Sequence, residues 1–282
     1  MSVNAKHKDS VFSSLFSDPD ALRELYCAIE GIDLPPDTPI DINTLSDVLY
    51  MDQINDVSFT IDNRLVVLIE HQSTINRNMP LRLLIYIARV YEKIIDRRKL
   101  YQRNPEKIPA PEFIVLYNGK APQPDYETLK LSDAFKDGGS LRSVPNLPPA
   151  LELVVQVYNI NKGHNTAITA KSATLGGYSV FVDKIREYKQ SMPNEEAMKA
   201  TIKYCMDNNV LKPFLETHST EVFNMLLTEW NTEEAKEVWF EEGLVEGMEK
   251  GMEKGIQYVM RLFDQGLSAA EVKRRLEQTT DQ

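Results

Sequence analysis

An acidic residue stands near each end of one short stretch that is rich in β-forming residues, and a glutamine follows the second acid. Residues 55–73, NDVSFTIDNRLVVLIEHQS, form two such runs around an Asp-Asn turn, with Asp56 at the start and Glu70 near the end. Hydrolysis of a phosphodiester needs a hard divalent cation held by oxygen ligands. Carboxylates on two neighbouring strands could supply those ligands, so the stretch is a candidate site for metal-dependent phosphodiester cleavage.

The length of the turn decides whether the two acids can act together. A two-residue loop at 62 and 63 pairs Asp56 with Ile69 and sends Glu70 to the opposite face of the hairpin. A three-residue loop at 62–64 pairs Asp56 directly with Glu70. The proposed chemistry therefore requires the three-residue loop.

Gln72 stands two positions after Glu70, where a metal-dependent nuclease more usually has a lysine. Its amide carries no positive charge, but it can hydrogen-bond and orient a water molecule. By strand alternation Gln72 shares the face of Glu70, whereas the side chain of His71 points away and its backbone carbonyl is left to face a metal. We predict Asp56, Glu70 and Gln72 as catalytic residues, and the two acids with the His71 carbonyl as metal ligands.

The positive charge that lysine would supply has to come from the metal or from the following helix. Arg82, Tyr86 and Arg89 follow one another at spacings of four and three and so share one flank of that helix. We predict that they surround the acids or contact the phosphate. The alternative is that the arginine stems and the tyrosine ring serve as packing. Asp9 is a weaker candidate for a third acid.

The surrounding pattern predicts an α/β core with a mixed sheet. Residues 17–31 predict a helix, with Asp18 as its cap, Pro19 at its first position and Gly31 after its end. Apolar residues at helical spacing predict a long helix within residues 79–100. The predicted strands are residues 46–51, the two runs around the Asp-Asn turn, residues 112–119 and residues 151–160.

Beyond residue 165 the strand signals stop, and amphipathic stretches predict a helical C-terminal region. Glycines occupy every fourth position at 243, 247, 251 and 255, with Glu and Lys between them. Such a row suits either a solvated helix of low intrinsic stability or a helix face that a second backbone can approach closely. We predict a domain at 1–190 and a helical region at 191–282, whose apolar flanks favour a homodimer.

Composition narrows the class of protein. The chain has 282 residues with 42 acidic and 32 basic side chains, a net charge of -10, which argues against a broad basic surface but not against a local cationic groove. Its two cysteines match no metal or redox spacing. No apolar run has the length of a membrane span, and the first residues lack a signal-peptide core. A cytoplasmic protein without a membrane partner is the expectation.

Five motifs in order resemble the Rpn family of recombination-promoting nucleases, which is also classified among transposases and forms a branch of the PD-(D/E)XK nuclease superfamily. They are HKDSVFSSLF, NDVSFTI, LIEHQSTINRNMPLRLLIYIARVYE, FIVLYNG and YNINKGHN. The similarity covers about residues 5–190, and the glycine-rich helical tail is also similar to the family's. By position, Asp56 and Glu70 match the superfamily's two acids, and Gln72 takes the place of its lysine.

The resemblance implies a restriction-endonuclease-like mixed-sheet core flanked by helices, and Mg²⁺-dependent DNA cleavage, with Mn²⁺ or Ca²⁺ as other cations that could bind. It also implies a link to recombination, mobile elements or phage defence. Two alternatives stay open. One is a DNA-binding or regulatory module that descends from such nucleases without catalysis, and the other is a transposase that joins strands.

Overall fold

The computed structural model describes residues 10–42, 56–136 and 149–280. Asp9 and the strand predicted at 46–51 lie outside these ranges. The chain divides into two compact units after Leu226. The division predicted at residue 190 rests on sequence and stays a prediction.

Six strands form one mixed sheet in the order β1-β2-β3-β4-β6-β5. β3 and β4 run parallel, as do β4 and β6, and the remaining neighbours are antiparallel. Helix α3 connects β3 to β4, which is the helical crossover that a parallel pair requires. The strands are β1 Ile40–Ile42, β2 Asp56–Ile61, β3 Leu65–Gln72, β4 Ala110–Tyr117, β5 Tyr126–Lys130 and β6 Val154–Asn159.

The helices before and after the sheet follow the predicted order. Asp18 caps α2 by accepting a hydrogen bond from the Ala21 N–H at 3.0 Å, and Gly31 ends it in the left-handed conformation. The α-helices are α1 Val11–Leu15, α2 Pro19–Glu30, α3 Met79–Ile94, α4 Thr166–Lys171, α5 Ala173–Tyr188, α6 Asn194–Asp207, α7 Lys212–Asp264 and α8 Ala269–Thr280. A short 3₁₀ helix, Arg97–Tyr101, follows α3, and another occupies Leu131–Ala134.

Helices cover both faces of the sheet. On one face, the even-numbered residues of β3 pack with α3 in a core that includes Val66, Leu68, Met79 and Leu83. On the other face, the ring of His71 stacks on Phe12 of α1 with 4.9 Å between centroids. β3 is therefore buried between two helical layers, and alternate side chains enter different environments.

The predicted fold class is confirmed, since a mixed sheet flanked by helices precedes a helical C-terminal region. Two strands were missed by the sequence analysis, β1 and β5, and both are short edge strands with exposed polar positions. Neither strand has a run of apolar residues that would predict it from sequence. Each forms by pairing with a longer neighbour, β1 with β2 and β5 with β6.

Helix α7 passes through the division between the two units and contains the row of glycines. Near its end, Leu262 and, in α8, Val272 are buried. At the start of α8, Glu271 Oε2 accepts hydrogen bonds from the Ser268 N–H at 2.8 Å and from the Ser268 hydroxyl at 2.6 Å. In the described ranges no helix combines the length and the apolar character that crossing a membrane would require.

Candidate active site

The hairpin that contains the two acids has the three-residue loop that the chemistry requires. Ile61 pairs with Leu65, so residues 62–64 form the loop. Asp62 and Asn63 both adopt positive φ, at 49° and 50°, a conformation that Asp and Asn tolerate better than most residues. The predicted register is confirmed.

In this register Asp56 lies directly opposite Glu70. The Gln72 carbonyl of β3 accepts a hydrogen bond from the Asn118 N–H, at 2.8 Å, after the end of β4. Alternate residues of a strand bond to the same neighbour, so Glu70 also bonds towards β4 and forms a non-hydrogen-bonded pair with Asp56. Such pairs have the closest Cα separation in an antiparallel ladder, about 4.5 Å. The same alternation directs the His71 carbonyl away from β4 and, within the plane of the sheet, towards the β2 side of β3.

The Glu70 carboxylate is buried and its two oxygens differ. Oε1 accepts a hydrogen bond from Gln72 Nε2 at 2.7 Å and forms an ion pair with Arg82 Nη1 at 3.1 Å. Oε2 is buried and has no hydrogen-bond partner among the described residues. A buried carboxylate oxygen without a partner is costly, so this atom is the natural position for a cation or a donor that binds from outside the chain.

Burial and its neighbours act on Glu70 in opposite directions. Desolvation raises the pKa of the Glu70 carboxyl above its ordinary value, whereas the positive charge of Arg82 and the hydrogen bond from Gln72 oppose that rise. Arg82 and Gln72 thus favour the anionic form that a metal ligand needs.

Gln72 faces the same side of β3 as Glu70, as predicted. Its Nε2 lies within hydrogen-bond distance of both Glu70 Oε1 and Met79 Sδ. Both N–H bonds of the amide are therefore directed at protein atoms, and the carbonyl oxygen is the part of the amide left to accept a hydrogen bond from water.

His71 points to the opposite face, also as predicted. Its ring lies between Phe12 and Tyr178, and its Nε2 is 3.2 Å from the Tyr178 hydroxyl. Burial, assisted by the charge of Arg186, lowers the pKa of His71 to about 3. The imidazole is neutral at physiological pH and acts as a packing group.

The three residues predicted around the acids lie in different environments. Arg82 contacts Glu70 directly. Tyr86 is buried and lines a small cavity together with Glu70. Arg89 is exposed and pairs with Glu92 one turn along α3, at 2.8 Å. The structure therefore brings Arg82 and Tyr86 to the candidate site and directs Arg89 to solvent.

The donor set fits a divalent cation only with Asp56 included. Among the residues whose side chains the structure describes, no three His, Cys, Asp or Glu residues come together to hold a metal. Glu70 supplies one buried oxygen without a partner, and the backbone register places Asp56 opposite it. Hard oxygen ligands of this kind suit Mg²⁺ or Mn²⁺.

One polar cluster beside the site was missed by the sequence analysis. Asn118 is buried after β4, and Arg186 Nη1 donates to Asn161 Oδ1 at 2.8 Å after β6. A side chain at Gly119 would place its Cβ 2.2 Å from the Ser73 carbonyl oxygen, so only glycine fits there. The sequence signal for this cluster was the asparagines of the motifs YNGK and YNINKGHN, which lie at the ends of two predicted strands.

Comparison with known families and proteins gives one match. A family model described as "Putative transposase, YhgA-like" matches residues 8–169, which contain the sheet and the candidate site. Searches of curated proteins and of solved structures find no match.

Proposed function

We propose, because the chain belongs to the YhgA-like family of putative transposases, that it is a metal-dependent DNA endonuclease. The observation that supports this most strongly is the state of Glu70. The carboxylate is buried, one oxygen is held by Gln72 and Arg82, and the other has no hydrogen-bond partner among the described residues. The backbone register pairs Glu70 with Asp56. A metal that binds for DNA cleavage would satisfy this buried oxygen, whereas packing alone leaves it without a partner among the described residues.

Asp56 and Glu70 would hold the cation, with the backbone carbonyl of His71 as a third oxygen. Mg²⁺ at this position would polarise the scissile phosphate and lower the pKa of a bound water. Arg82 pairs with Oε1 of Glu70 and so restrains its orientation, and its charge opposes the rise in the pKa of Glu70 that burial causes.

Gln72 has two roles in this proposal. Its amide nitrogen donates to Glu70 and so positions it, and its carbonyl oxygen would accept a hydrogen bond from the attacking water and so orient it. Gln72 cannot take up a proton at neutral pH, so it cannot replace the charge of the superfamily's lysine. Arg82 is the nearest described source of positive charge for the phosphate.

The proposal is tested by cleavage and by metal binding together. Wild-type protein is expected to nick supercoiled plasmid with Mg²⁺ or Mn²⁺ and not with EDTA, and calorimetry should detect Mn²⁺ binding. Glu70→Gln keeps the shape of the side chain but removes its charge, so both signals should be lost. A Glu70→Gln protein that binds Mn²⁺ and cleaves like wild type would contradict the proposal.

Strand transfer is a second candidate function, because the family is described as transposases. Hydrolysis and joining leave different products. Incubation of the protein with a labelled duplex and a plasmid target would give only shortened fragments in the first case and label covalently joined to plasmid in the second. A third carboxylate is not seen beside Glu70 among the described side chains, which favours hydrolysis.

We also propose that the C-terminal helices form a homodimer. Five apolar side chains on the last part of α7 are between 49% and 69% exposed, namely Met248, Met252, Ile256, Met260 and Phe263. The glycines at 247, 251 and 255 have no atom near the position of a Cβ, so a second backbone could approach that face. Burial of each large apolar side chain would contribute about 1.5 to 3 kcal/mol.

Two copies would place one active site on each DNA strand, as cleavage of a duplex requires. Light scattering should give twice the monomer mass for the full chain and the monomer mass for a chain that ends at Thr232. A monomeric full-length protein, or a dimer that survives the truncation, would refute the role of the tail. The apolar residues that flank the glycine row also include Trp239 and Phe240, whose side chains lie outside the described part of the structure.

A further inference from the structure

Positive charge is concentrated in one segment of this acidic chain. Residues 77–107, named here the basic segment, contain nine Lys and Arg against three Asp and Glu, in a chain whose net charge is -10. The segment comprises two residues before α3, the whole of α3, the 3₁₀ helix that follows and the loop before β4. It is entirely described, and its charge is opposite to that of the remainder of the chain.

The charges of α3 share one side of the helix. At about 100° per residue, Arg82, Arg89 and Lys93 fall within an arc of about 40°. Arg82, at the Glu70 end of this row, pairs with the candidate catalytic acid and has a side chain that is 28% exposed. Arg89 is 57% exposed. The row therefore leads along the surface from the candidate site to the end of the helix.

At the far end of α3 most of the cations form no ion pair with the described residues. Arg97 and Arg98 are exposed and lie in the 3₁₀ helix beside Tyr101, whose side chain is 90% exposed. Within the described ranges, five exposed basic residues of the segment make no ion pair, namely Lys93, Arg97, Arg98, Arg103 and Lys107. Glu92 and Glu106 neutralise only Arg89 and Lys99.

We propose that the basic segment binds the phosphate backbone of duplex DNA to one side of the bond that is cleaved. This inference rests on the proposed nuclease function and identifies the surface that would hold its substrate. From Arg82 to Ile94 the helix rises about 18 Å, the length of about five base pairs at 3.4 Å each. A straight helix of this length matches a stiff duplex, so Arg97 and Arg98 would meet phosphates about five or more base pairs from the cleavage site.

The chemistry of the segment fits phosphate contacts rather than base recognition. Arginines and lysines on an exposed helical surface neutralise phosphates and release counterions, which gives affinity without sequence preference. The rest of the chain is acidic and would repel DNA, so a local cationic surface both binds the duplex and orients it over Glu70.

The test compares two double variants of equal charge. Arg97→Gln with Arg98→Gln removes two cations from the basic segment, whereas Lys171→Gln with Lys203→Gln removes two exposed cations from α4 and α6 on the other helical layer. Binding of a fluorescein-labelled duplex is measured by anisotropy over a range of salt, with Ca²⁺ in place of Mg²⁺. All four positions are exposed, and circular dichroism confirms that the variants fold.

The arginine variant is expected to bind the duplex more weakly and to reduce the slope of log K against log salt by about two, one for each phosphate that is no longer neutralised. The lysine variant should match wild type. Equal binding by both variants, or absence of duplex binding by wild-type protein, would overturn the proposal. The proposal would also be overturned if the arginine variant lost binding only to anionic phospholipid vesicles and not to duplex DNA. The same holds if wild-type protein bound single-stranded DNA more tightly than duplex and Tyr101→Ala abolished that binding.

The outcomes separate this inference from the proposed function. If Glu70→Gln abolishes cleavage while the arginine variant binds duplex as wild type does, the nuclease assignment stands and the surface is wrong. If Glu70→Gln cleaves normally while the arginine variant loses duplex binding, the surface stands and the assigned catalytic site is wrong.

Discussion

Glu70 and His71 are consecutive residues of β3, but their side chains lie on opposite faces of the sheet and in different environments. Glu70 faces α3, where Arg82 and Gln72 bind one carboxylate oxygen and the other has no partner in the part of the chain that the structure describes. His71 faces α1 and α5, where two aromatic rings enclose it. Burial raises the pKa of Glu70 and lowers that of His71, so in each case desolvation favours the neutral form.

What distinguishes the two faces is whether anything opposes desolvation. Glu70 has a cation and an amide donor, which recover part of the cost of burying an anion. His71 has only rings, a hydroxyl and the repulsive charge of Arg186. Two adjacent polar residues of one strand can therefore be a candidate functional group on one face and a packing group on the other.

The largest effect is expected from removal of either acid. Asp56→Ala or Glu70→Ala should abolish plasmid cleavage, because each removes a proposed metal ligand. Without metal, Asp56→Ala should leave thermal stability unchanged or raise it, since neighbouring carboxylates no longer repel each other. Glu70→Ala should lower it, because Arg82 and Gln72 lose a buried partner. Calorimetric unfolding and a plasmid assay measure the two effects, and full activity in either variant would remove that residue from the site.

Removal of the Gln72 amide should have a smaller effect on the same face. Gln72→Ala leaves Glu70 Oε1 with Arg82 as its remaining described partner, and partners of metal ligands typically contribute about 10- to 100-fold to metal affinity or activity. The matched control is Gln156→Ala, on β6, where the amide oxygen accepts from the Tyr158 hydroxyl at 2.6 Å. Wild-type cleavage rates in Gln72→Ala would show that the residue is not catalytic.

Arg82 should set the pH at which Glu70 becomes active. Arg82→Gln removes the strongest influence that lowers the pKa of Glu70, so the acidic limb of the pH-rate profile should move to higher pH. Arg89→Gln is the control, because Arg89 pairs with Glu92 in solvent and should leave the position of that limb unchanged. Coincident profiles for the two variants would contradict the role assigned to Arg82.

On the opposite face the expected effect concerns stability. The pKa of His71 is about 3 in the folded chain against an ordinary 6.5, so the unfolded chain takes up the proton first as the pH falls. His71 therefore lowers the free energy of unfolding as the pH drops from 6.5 towards 3, by up to about 1.4 kcal/mol per pH unit. Urea titrations should show a shallower dependence in His71→Phe, and identical slopes in both proteins would indicate that the imidazole is solvated.

Local sequence determined the hairpin and the order of its side chains. A tight turn at Asp62 and Asn63 follows from residues that tolerate positive φ, and alternation along β3 then fixes which side chains share a face. The cap at Asp18 is equally local. Alternation and the cap depend on near neighbours, so the pattern of residues was sufficient to predict them. The loop length stayed open between two and three residues in the sequence, and the pairing of Ile61 with Leu65 decides it.

Tertiary structure decided the rest, because it depends on contacts between distant segments. The spacing of Arg82 and Arg89 in the sequence predicts the same position for both around the helix. Only the packing of α3 against the sheet brings Arg82 to Glu70 and leaves Arg89 in solvent. The edge strands β1 and β5 exist through pairing with strands that are apolar, not through their own residues. One oxygen of Glu70 has no partner among the described residues because packing between the helices and the sheet buries it. That packing cannot be predicted from the spacing of residues in the chain.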